Sequence, residues 1–396
     1  MTSLLQEARA LEPELIAVRR DLHRHPELAF REQRTAGIAA DAVRALGFRV
    51  RTGIGRTGVV AELGDDAGPV IALRADMDAL PIQESGGAEY RSTVPGVMHA
   101  CGHDAHVAML LGAARLLAGR AAQGTLPPGT VRLLFQPSEE ASDETNRSGA
   151  TRMVEDGAMA GVAAIFGLHI GAHLESGCAF ITPGPVMAGS DLFTATVHGR
   201  SAHAARPHEG IDAIVLAAHG ILACQNAVAR RLAPADQGVL TIGTIAGGFA
   251  ENVLAESVEL HGTLRYFEEA VRAVLQRELR RAFAIAETLG GRADIALRAG
   301  YPPVVNDARI AALAQQAVGA VLGPAAVRPM QPMMTAEDFA ILAREAPGCF
   351  FWFGAALDPP REHHHPAFDI DESALARGAA ALAGCALHAL ATVHPA

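Results

Sequence analysis

Apolar positions recur with two different periods along this chain, and the change of rhythm divides it into parts. Leu4, Leu5, Ala8, Leu11, Leu15 and Val18 return every three or four residues, which predicts an amphipathic helix over 3–23; residues 31–46 read the same way. Short apolar runs at 58–63 and 69–75 predict strands. A helix is expected to start near Asp104, with Asp104 as its N-cap and Val107, Leu110, Leu111, Ala114 and Leu117 on its apolar face. The uninterrupted runs 131–135 and 162–168 suit strands of a sheet buried on both faces. Helices at 306–321 and 335–345, a strand at 349–353 and an alanine-rich helix from about 372 follow.

A segment with another rhythm lies between these parts. Residues 192–198 alternate as a strand, 209–232 are helical, 239–245 and 258–266 are strands, 267–289 form an amphipathic helix, and 293–299 form a strand. The order β-α-β-β-α-β is the split arrangement of a ferredoxin-like domain. Pro183-Gly184-Pro185 and Pro302-Pro303 bound it as natural hinges. The fold expected is therefore α/β, a mixed and mostly parallel sheet flanked by helices over 1–185 and 307–396. A ferredoxin-like α+β domain over 186–306 interrupts it.

Length and composition narrow the partners. A chain of 396 residues, half of them hydrophobic, has material for about two domains. A net charge of −10 and the lack of a basic run argue against nucleic acid or an anionic membrane as partner. The N-terminus opens on an amphipathic pattern rather than a signal peptide, which leads us to expect a cytoplasmic protein. The longest uncharged run, 213–229, contains His219, Gln225 and Asn226 and reads as a buried helix rather than a membrane span. Cys101, Cys178, Cys224, Cys349 and Cys385 are odd in number and widely spaced, so reduced thiols are expected. The chain has no lysine, which excludes Schiff-base and phosphate-loop lysine chemistry, and no Gly-x-Ser-x-Gly nucleophile elbow.

What remains is carboxylate, imidazole and metal chemistry. His99, Cys101, His103, Asp104 and His106 place five potential ligands within eight residues, a density suited to zinc or manganese. A lone Cys beside one His would read as a buried structural pair. Asp76 and Asp78 follow one apolar run, Glu139 and Glu140 a second, His169 ends a third, and His363-His364-His365 follow the run ending at Phe353. Ligands bind beyond the carboxyl ends of strands in open α/β sheets, so these four segments converge. Asp76 and Asp78 fit a surface turn equally well. Adjacent Glu139 and Glu140 repel each other; a cation neutralising one would leave the other as a base. His23 and His25 end a helix with no strand behind them and read as structural or supporting residues, while His388 and His394 belong to the C-terminal helix and its tail.

The segments His23-Arg-His25-Pro-Glu27, Arg74-Ala-Asp76-Met-Asp78-Ala-Leu-Pro81, Met98-His-Ala-Cys101-Gly-His103-Asp104, Gln136-Pro-Ser-Glu139-Glu140 and Gly167-Leu-His169 resemble the M20 metallopeptidase family. Gly199-Arg-Ser-Ala-His203-Ala, Glu251-Asn252-Val, Gly262-Thr-Leu-Arg265 and His364-His-Pro366 extend the resemblance over nearly the whole chain. The branch it resembles is that of hippurate hydrolases and N-acyl-amino-acid amidohydrolases, including auxin-conjugate hydrolases. The resemblance implies two divalent metal ions per subunit (Zn, Mn, Co or Ni) and an inserted domain that serves as lid and dimer interface, in a homodimer or higher homo-oligomer. Cys101 would bridge the ions, with His103 and His169 on one and Glu140 and His364 on the other. The place of His364 rests on the His-x-Pro pattern alone, so His363 and His365 stay rivals. Glu139 would be the general base, Asp76 would orient a ligand or the base, and His203 of the partner subunit would reach the oxyanion. Asn252 and Arg265 would hold the substrate carboxylate.

This chain departs from the wider family in having Arg74 where a ligand histidine is usual, Cys101 where a bridging aspartate is usual, and Ala255 where proline is common. His103 would take the place of the lost histidine. The implied activity is metal-dependent cleavage of the amide bond of N-acyl amino acids, hippurate-like or N-acetylated, to a carboxylic acid and a free amino acid. A dipeptidase or carboxypeptidase of the same fold, an N-acetyl-diaminopimelate or N-acetylcysteine deacetylase, and a non-catalytic metal-binding protein are the alternatives.

Overall fold

The structure is a computed structural model that describes residues 3–65 and 67–394. In chain order its elements begin with α1 (Leu4–Arg24), α2 (Gln33–Ala45), β1 (Arg49–Ile54), β2 (Gly58–Gly64), β3 (Val70–Asp76), α3 (His103–Ala122), β4 (Thr130–Gln136), α4 (Gly149–Glu155) and β5 (Val162–Gly171). Next come β6 (Ala179–Phe180), β7 (Gly184–Met187), β8 (Gly189–His198), α5 (Ala213–Asn226), β9 (Gly238–Gly247), β10 (Ser257–Tyr266), α6 (Glu269–Phe283), α7 (Ile285–Thr288) and β11 (Arg292–Ala299). The chain closes with β12 (Val304–Asn306), α8 (Ala308–Leu322), β13 (Val327–Arg328), α9 (Phe339–Glu345), β14 (Gly348–Gly354) and α10 (Ala374–Thr392). These form two compact units: a larger one up to Val186 with Val305–Gln331 and from Asp338 onward, and a smaller one of Met187–Val304 with Pro332–Glu337.

The larger unit is built on an eight-stranded mixed sheet in the order β1-β2-β4-β3-β5-β14-β6-β13. β3 runs parallel to β4 and β5, and β5 parallel to β14, so four carboxyl ends share one edge. β4, β5 and β14 are buried at every position, as their unbroken apolar runs require of strands covered on both faces. β1, whose residues are mostly exposed, is a solvated edge strand without an apolar signature, and the sequence reading did not contain it. α3 and the alanine-rich α10 approach closely. A Cβ on Gly378 would lie 2.1 Å from Met109 Sδ, and one on Gly112 would lie 2.7 Å from Ala379 Cβ, so small residues are the condition of this contact.

Several boundaries differ from expectation: β5 runs on to Gly171, so His169 lies within it rather than at its end, β8 starts at Gly189, and α5 spans Ala213–Asn226. α3 starts at His103 with Gly102 as its N-cap, not with Asp104 in that position, because the Asp104 carboxylate is engaged elsewhere. α9 starts at Phe339 rather than near 335. Asp338, just before it, is fully buried and accepts hydrogen bonds from Arg74, Gln136 and the Ala150 amide.

The smaller unit follows the order β8-α5-β9-β10-α6-β11 and forms an antiparallel sheet in the order β11-β8-β10-β9, a ferredoxin-like α+β arrangement. The expectation of a buried helix at 213–229 is corrected here. Residues 213–231 and α10 both have the length and composition of a membrane span, but 78% of the α10 stretch is buried against only 33% of the other. Ile214, Val215, Leu222 and Val228 stand exposed on the smaller unit, as do Ile245 and Phe249. Counting uncharged residues identifies an apolar helix; it does not say which side of it the chain covers.

One buried cation ties α1 to the start of α3 and to the segment before α10. Arg19 is fully buried and donates to Asp104 Oδ2 at 2.9 Å, Asp369 Oδ1 at 3.1 Å and Glu372 Oε1 at 3.2 Å. Burial opposes its charge, and the attraction of Asp104, Asp369 and Glu372 overcomes that opposition. Replacing Arg19 with methionine removes the buried cation these carboxylates share and leaves Glu372 with Arg20, Asp369 with Arg361 and the fully buried Asp104 with His23. Arg19→Met is therefore expected to lower the free energy of unfolding in urea by about 3–5 kcal/mol; a loss under about 1 kcal/mol would show that the cluster is not what joins these segments.

Candidate metal centre

The site is assembled at the edge where β3, β4, β5 and β14 end. Cys101 and His103 enter it from a turn that only glycine can make: Gly102 has φ +89°, and a Cβ there would lie 2.4 Å from Ile170 Cγ2. The chain thus passes against β5 and turns directly into α3. Cys101 precedes the turn, and His103 is the first helical residue.

Hydrogen bonds fix which imidazole nitrogens carry lone pairs. His169 Nδ1 lies 2.8 Å from the Ile170 carbonyl, so it carries the proton and donates. Its Nε2 is left as a lone pair 3.4 Å from Cys101 Sγ, and the Trp352 ring packs on the imidazole with centroids 4.6 Å apart. His106 has the same tautomer, but both of its nitrogens are used by the protein itself. Its Nε2 accepts from the Ile170 amide at 2.8 Å, so Nδ1 bears the proton and donates to Asp76 Oδ1. Burial pushes both His169 and His106 down, and both are neutral. His99, the first histidine of the motif, is buried with neither nitrogen partnered, and burial pushes it down to about 4.

Asp76 ends β3 within the fully buried core. Its Oδ2 accepts from Arg74 at 2.8 Å and lies 3.4 Å from His103 Nε2. Arg74 also donates to Gln136 Oε1 and Asp338 Oδ1 and is a buried counter-charge to these groups. His103 lies with Nδ1 3.3 Å from Asp78 Oδ1 and Nε2 4.0 Å from Glu140 Oε1, yet neither nitrogen has a hydrogen bond of good geometry.

Glu139 and Glu140 follow β4, and their backbone is held by Asp78, whose Oδ1 accepts from the Glu139 amide and Oδ2 from the Glu140 amide, each at 3.0 Å. The three successive histidines behave differently. His364, with φ 56°, donates its backbone N–H to the Ala100 carbonyl at 2.8 Å and brings Nε2 to 3.2 Å from Glu140 Oε1. His363 Nε2 accepts from the Ala172 amide, and His365 Nδ1 accepts from the Ala367 amide in its own turn.

The result is two groups of ligand atoms that share Cys101: Cys101 with His103 and His169, and Cys101 with Glu140 and His364. Within each, the atoms lie within 4.8 Å of one another. His103 with Glu139 and Glu140 forms a third such group. The donor set fits divalent cations. Burial first, then Glu140, Glu139 and Asp76, push the Cys101 thiol well up, so a thiolate here needs added positive charge. The buried His103 nitrogens and Glu140 Oε1 without hydrogen bonds are the groups that a cation would satisfy.

His203, Asn252 and Arg265 belong to the smaller unit. His203 and Asn252 are neighbours on exposed segments: the Ala204 amide donates to the Asn252 carbonyl at 2.9 Å, and His203 bridges to Val253. Arg265 lies in β10, more than half buried, and no carboxylate pairs with it among the described residues; burial lowers its pKa.

The model of Peptidase family M20/M25/M40 matches residues 72–388, and the chain belongs to that family. It is 41% identical to the N-acetyl-L-cysteine deacetylase of Bacillus subtilis over 374 residues, 92% of this chain and 85% of that protein. It is 36% identical to thermostable carboxypeptidase 2 of Saccharolobus solfataricus over 385 residues, 96% of each. Among solved structures it is similar to a dinuclear metal binding peptidase from the M20 family of Bacillus subtilis, with a TM-score of 0.85 and 36% identity, covering 97% of this chain and 99% of that one. The chain is accordingly a hydrolase acting on amide bonds.

Sequence reasoning counted His106 among five potential ligands but did not find its supporting place beside His103, three residues before it on the same helix face. It also passed over Glu32, for which no sequence signal exists. Glu32 is fully buried, accepts from Thr57 Oγ1 at 2.5 Å, and is pushed up to about 7 by burial and then by the charge of Asp78. A folded-state pKa above the ordinary 4.5 means that the folded protein favours protonated Glu32. The contribution of Glu32 to stability is full below about 4.5 and is lost as pH rises to about 7. Glutamine in its place does not titrate. In chelator-treated protein, Glu32→Gln is expected to gain on the order of 3 kcal/mol of stability relative to wild type between these pH values, with a constant difference above. Urea unfolding at a series of pH values checks this, and a pH-independent difference would reject it.

Proposed function

We propose that this protein is a dinuclear metal-dependent amidohydrolase that cleaves N-acyl amino acids, N-acetylated or hippurate-like, into a carboxylic acid and a free amino acid. The observation that carries the reading is the pair of ligand groups sharing Cys101, with Glu139 adjacent to ligand Glu140. Cys101 with His103 and His169 would hold one ion, and Cys101 with Glu140 and His364 the other. Bound there, two divalent cations (Zn, Mn, Co or Ni) supply Lewis-acid chemistry for the carbonyl and the water. Glu139 takes a proton from water as its oxygen forms the new bond to the acyl carbon. It then delivers that proton to the amide nitrogen as the C–N bond breaks, one group serving both steps. Asp76 accepts from His106 Nδ1 and lies 3.4 Å from His103 Nε2, a carboxylate placed to orient that ligand imidazole.

In this reading Arg265 and Asn252 bind the substrate carboxylate. An unpaired, half-buried guanidinium supports that role, since its fork matches a carboxylate. His203, from a partner subunit's smaller domain, assists the oxyanion, and that domain acts as lid and dimer surface over 186–306. The apolar residues exposed on α5 support a homodimer or larger homo-oligomer. The net charge of −10 favours a small-molecule substrate over nucleic acid, and a cytoplasmic location is part of the same proposal.

The carboxypeptidase similarity favours a second reading, a dipeptidase or carboxypeptidase using the same groups. Release of free amino acid from hippurate, N-acetyl amino acids and dipeptides, by chelator-stripped protein with and without divalent metal, separates the two. Metal-dependent turnover of acyl amino acids above dipeptides is expected; the reverse order gives the peptidase. Glu139→Ala is expected to keep its metal and lose about 100- to 10,000-fold in kcat, and wild-type turnover by that variant would remove Glu139 as base.

A further inference from the structure

The turn that carries Glu139 and Glu140 is held in an unfavourable backbone conformation by a residue far away in sequence. Ser138, immediately before them, has φ 46°, a left-handed conformation that side chains other than glycine rarely adopt. Phe30 has φ 58°, another non-glycine residue in the same region. The backbone N–H groups of both donate to one atom, Glu32 Oε1: Phe30 at 2.8 Å and Ser138 at 2.9 Å. Thr57 Oγ1 donates to the other oxygen and fixes the rotamer.

Asp78 takes the next two amides, so three successive N–H groups, Ser138, Glu139 and Glu140, are anchored to two buried carboxylates. The far side of the turn is equally confined. The Gly149 amide donates to the Ser138 carbonyl at 2.9 Å, and a Cβ on Gly149 would sit 1.6 Å from the Pro137 oxygen. Two carboxylates facing one turn repel each other, and two left-handed residues cost about 1 kcal/mol or more each. A fold selected for stability alone has no use for that combination; a fold that must aim two particular side chains does.

We propose that Glu32 is a positioning residue for hydrolysis, clamping Ser138 so that Glu139 is aimed at the water and Glu140 at its ion. This rests on the reading of Glu139 as the base. Its effect is on geometry, so a side chain that keeps the accepting oxygen suffices: Glu32→Gln retains Oε1 for Phe30 and Ser138, and Glu32→Ala does not.

The test is steady-state kinetics of the metal-loaded protein on its best acyl amino acid, for Glu32→Ala and Glu32→Gln, each in the wild-type and the Glu139→Ala background, with metal content measured in parallel. Glu32→Ala is expected to lower kcat at least about tenfold with KM within about threefold, and Glu32→Gln to stay within about threefold of wild type. In the Glu139→Ala background, Glu32→Ala is expected to cost at least about threefold less than in wild type, since the base it positions is gone and only Glu140 remains to be aimed. Wild-type kcat in Glu32→Ala, equal losses in the alanine and glutamine variants, or an undiminished loss in the Glu139→Ala background each overturn the proposal. Wild-type turnover by Glu139→Ala itself defeats the base assignment and this inference with it; an inactive Glu139→Ala beside a fully active Glu32→Ala defeats this inference alone. Should Glu32→Ala not fold, Thr57→Val carries the test by freeing Oε2. A threefold to tenfold fall in kcat at constant KM, in rough terms, is then expected, and an unchanged kcat overturns the proposal.

Discussion

Putting carboxylates inside a protein requires positive charge to go in with them, and the edge of this sheet is organised around that requirement. Asp76, Asp78, Asp104, Asp338 and Glu139 are buried here, and side chains of this kind are costly to ionise away from water. The chain supplies part of the compensation itself. Arg74 serves Asp76 and Asp338, and Arg19 serves Asp104. Among the described residues no guanidinium pairs with Cys101 or Glu140, and positive charge is favoured there instead at His103, which Asp76, Asp78 and Glu140 push up to about 10 against burial. The division is chemically sensible. Arginine fills the places where a permanent charge is wanted, and the places left without it are those where thiolate, imidazole and carboxylate atoms converge.

Much of this was legible in the sequence, because the relevant residues follow strands whose buried, two-faced character shows as unbroken apolar runs. The apolar runs placed strand ends at 75, 135, 168 and 353, and the strands end at Asp76, Gln136, Gly171 and Gly354; parallel pairing then brings their carboxyl ends to one edge. The α+β order of the smaller unit was readable for a related reason: its helices and strands alternate in period. What the pattern did not contain is the outward-facing side of α5, since an apolar helix reads alike whether the chain buries it or leaves it bare. It also misplaced the start of α3, where a long-range ion pair to Arg19 removes Asp104 from capping. Contacts between residues 85 or more apart leave no local trace.

The supporting groups behind the site were the least visible for the same cause. Asp78, two residues beyond Asp76, anchors the amides of Glu139 and Glu140, and Glu32 anchors Ser138. Glu32 is an ordinary acidic residue by its neighbours in sequence, and Asp78 stood out only as following the same strand as Asp76. His106 differs, since its i, i+3 relation to His103 on α3 is a usable signal; its hydrogen bonds to Asp76 and the Ile170 amide leave it no free lone pair.

The clamp on the Glu139 turn also bears on where this molecule can be cut. Residues 72–388 match the family model and contain every proposed ligand, yet Arg19, His23 and Glu32 lie before that stretch. A fragment starting at residue 72 would keep all the proposed ligands and lose Arg19, His23 and Glu32, whose hydrogen bonds reach Asp104 and Ser138. In a chain made from its N-terminus, the anchors emerge first and wait for the segments they orient. The hydrolytic site is thus not a module that can be transplanted by its motifs, because part of its frame is the polypeptide that precedes them.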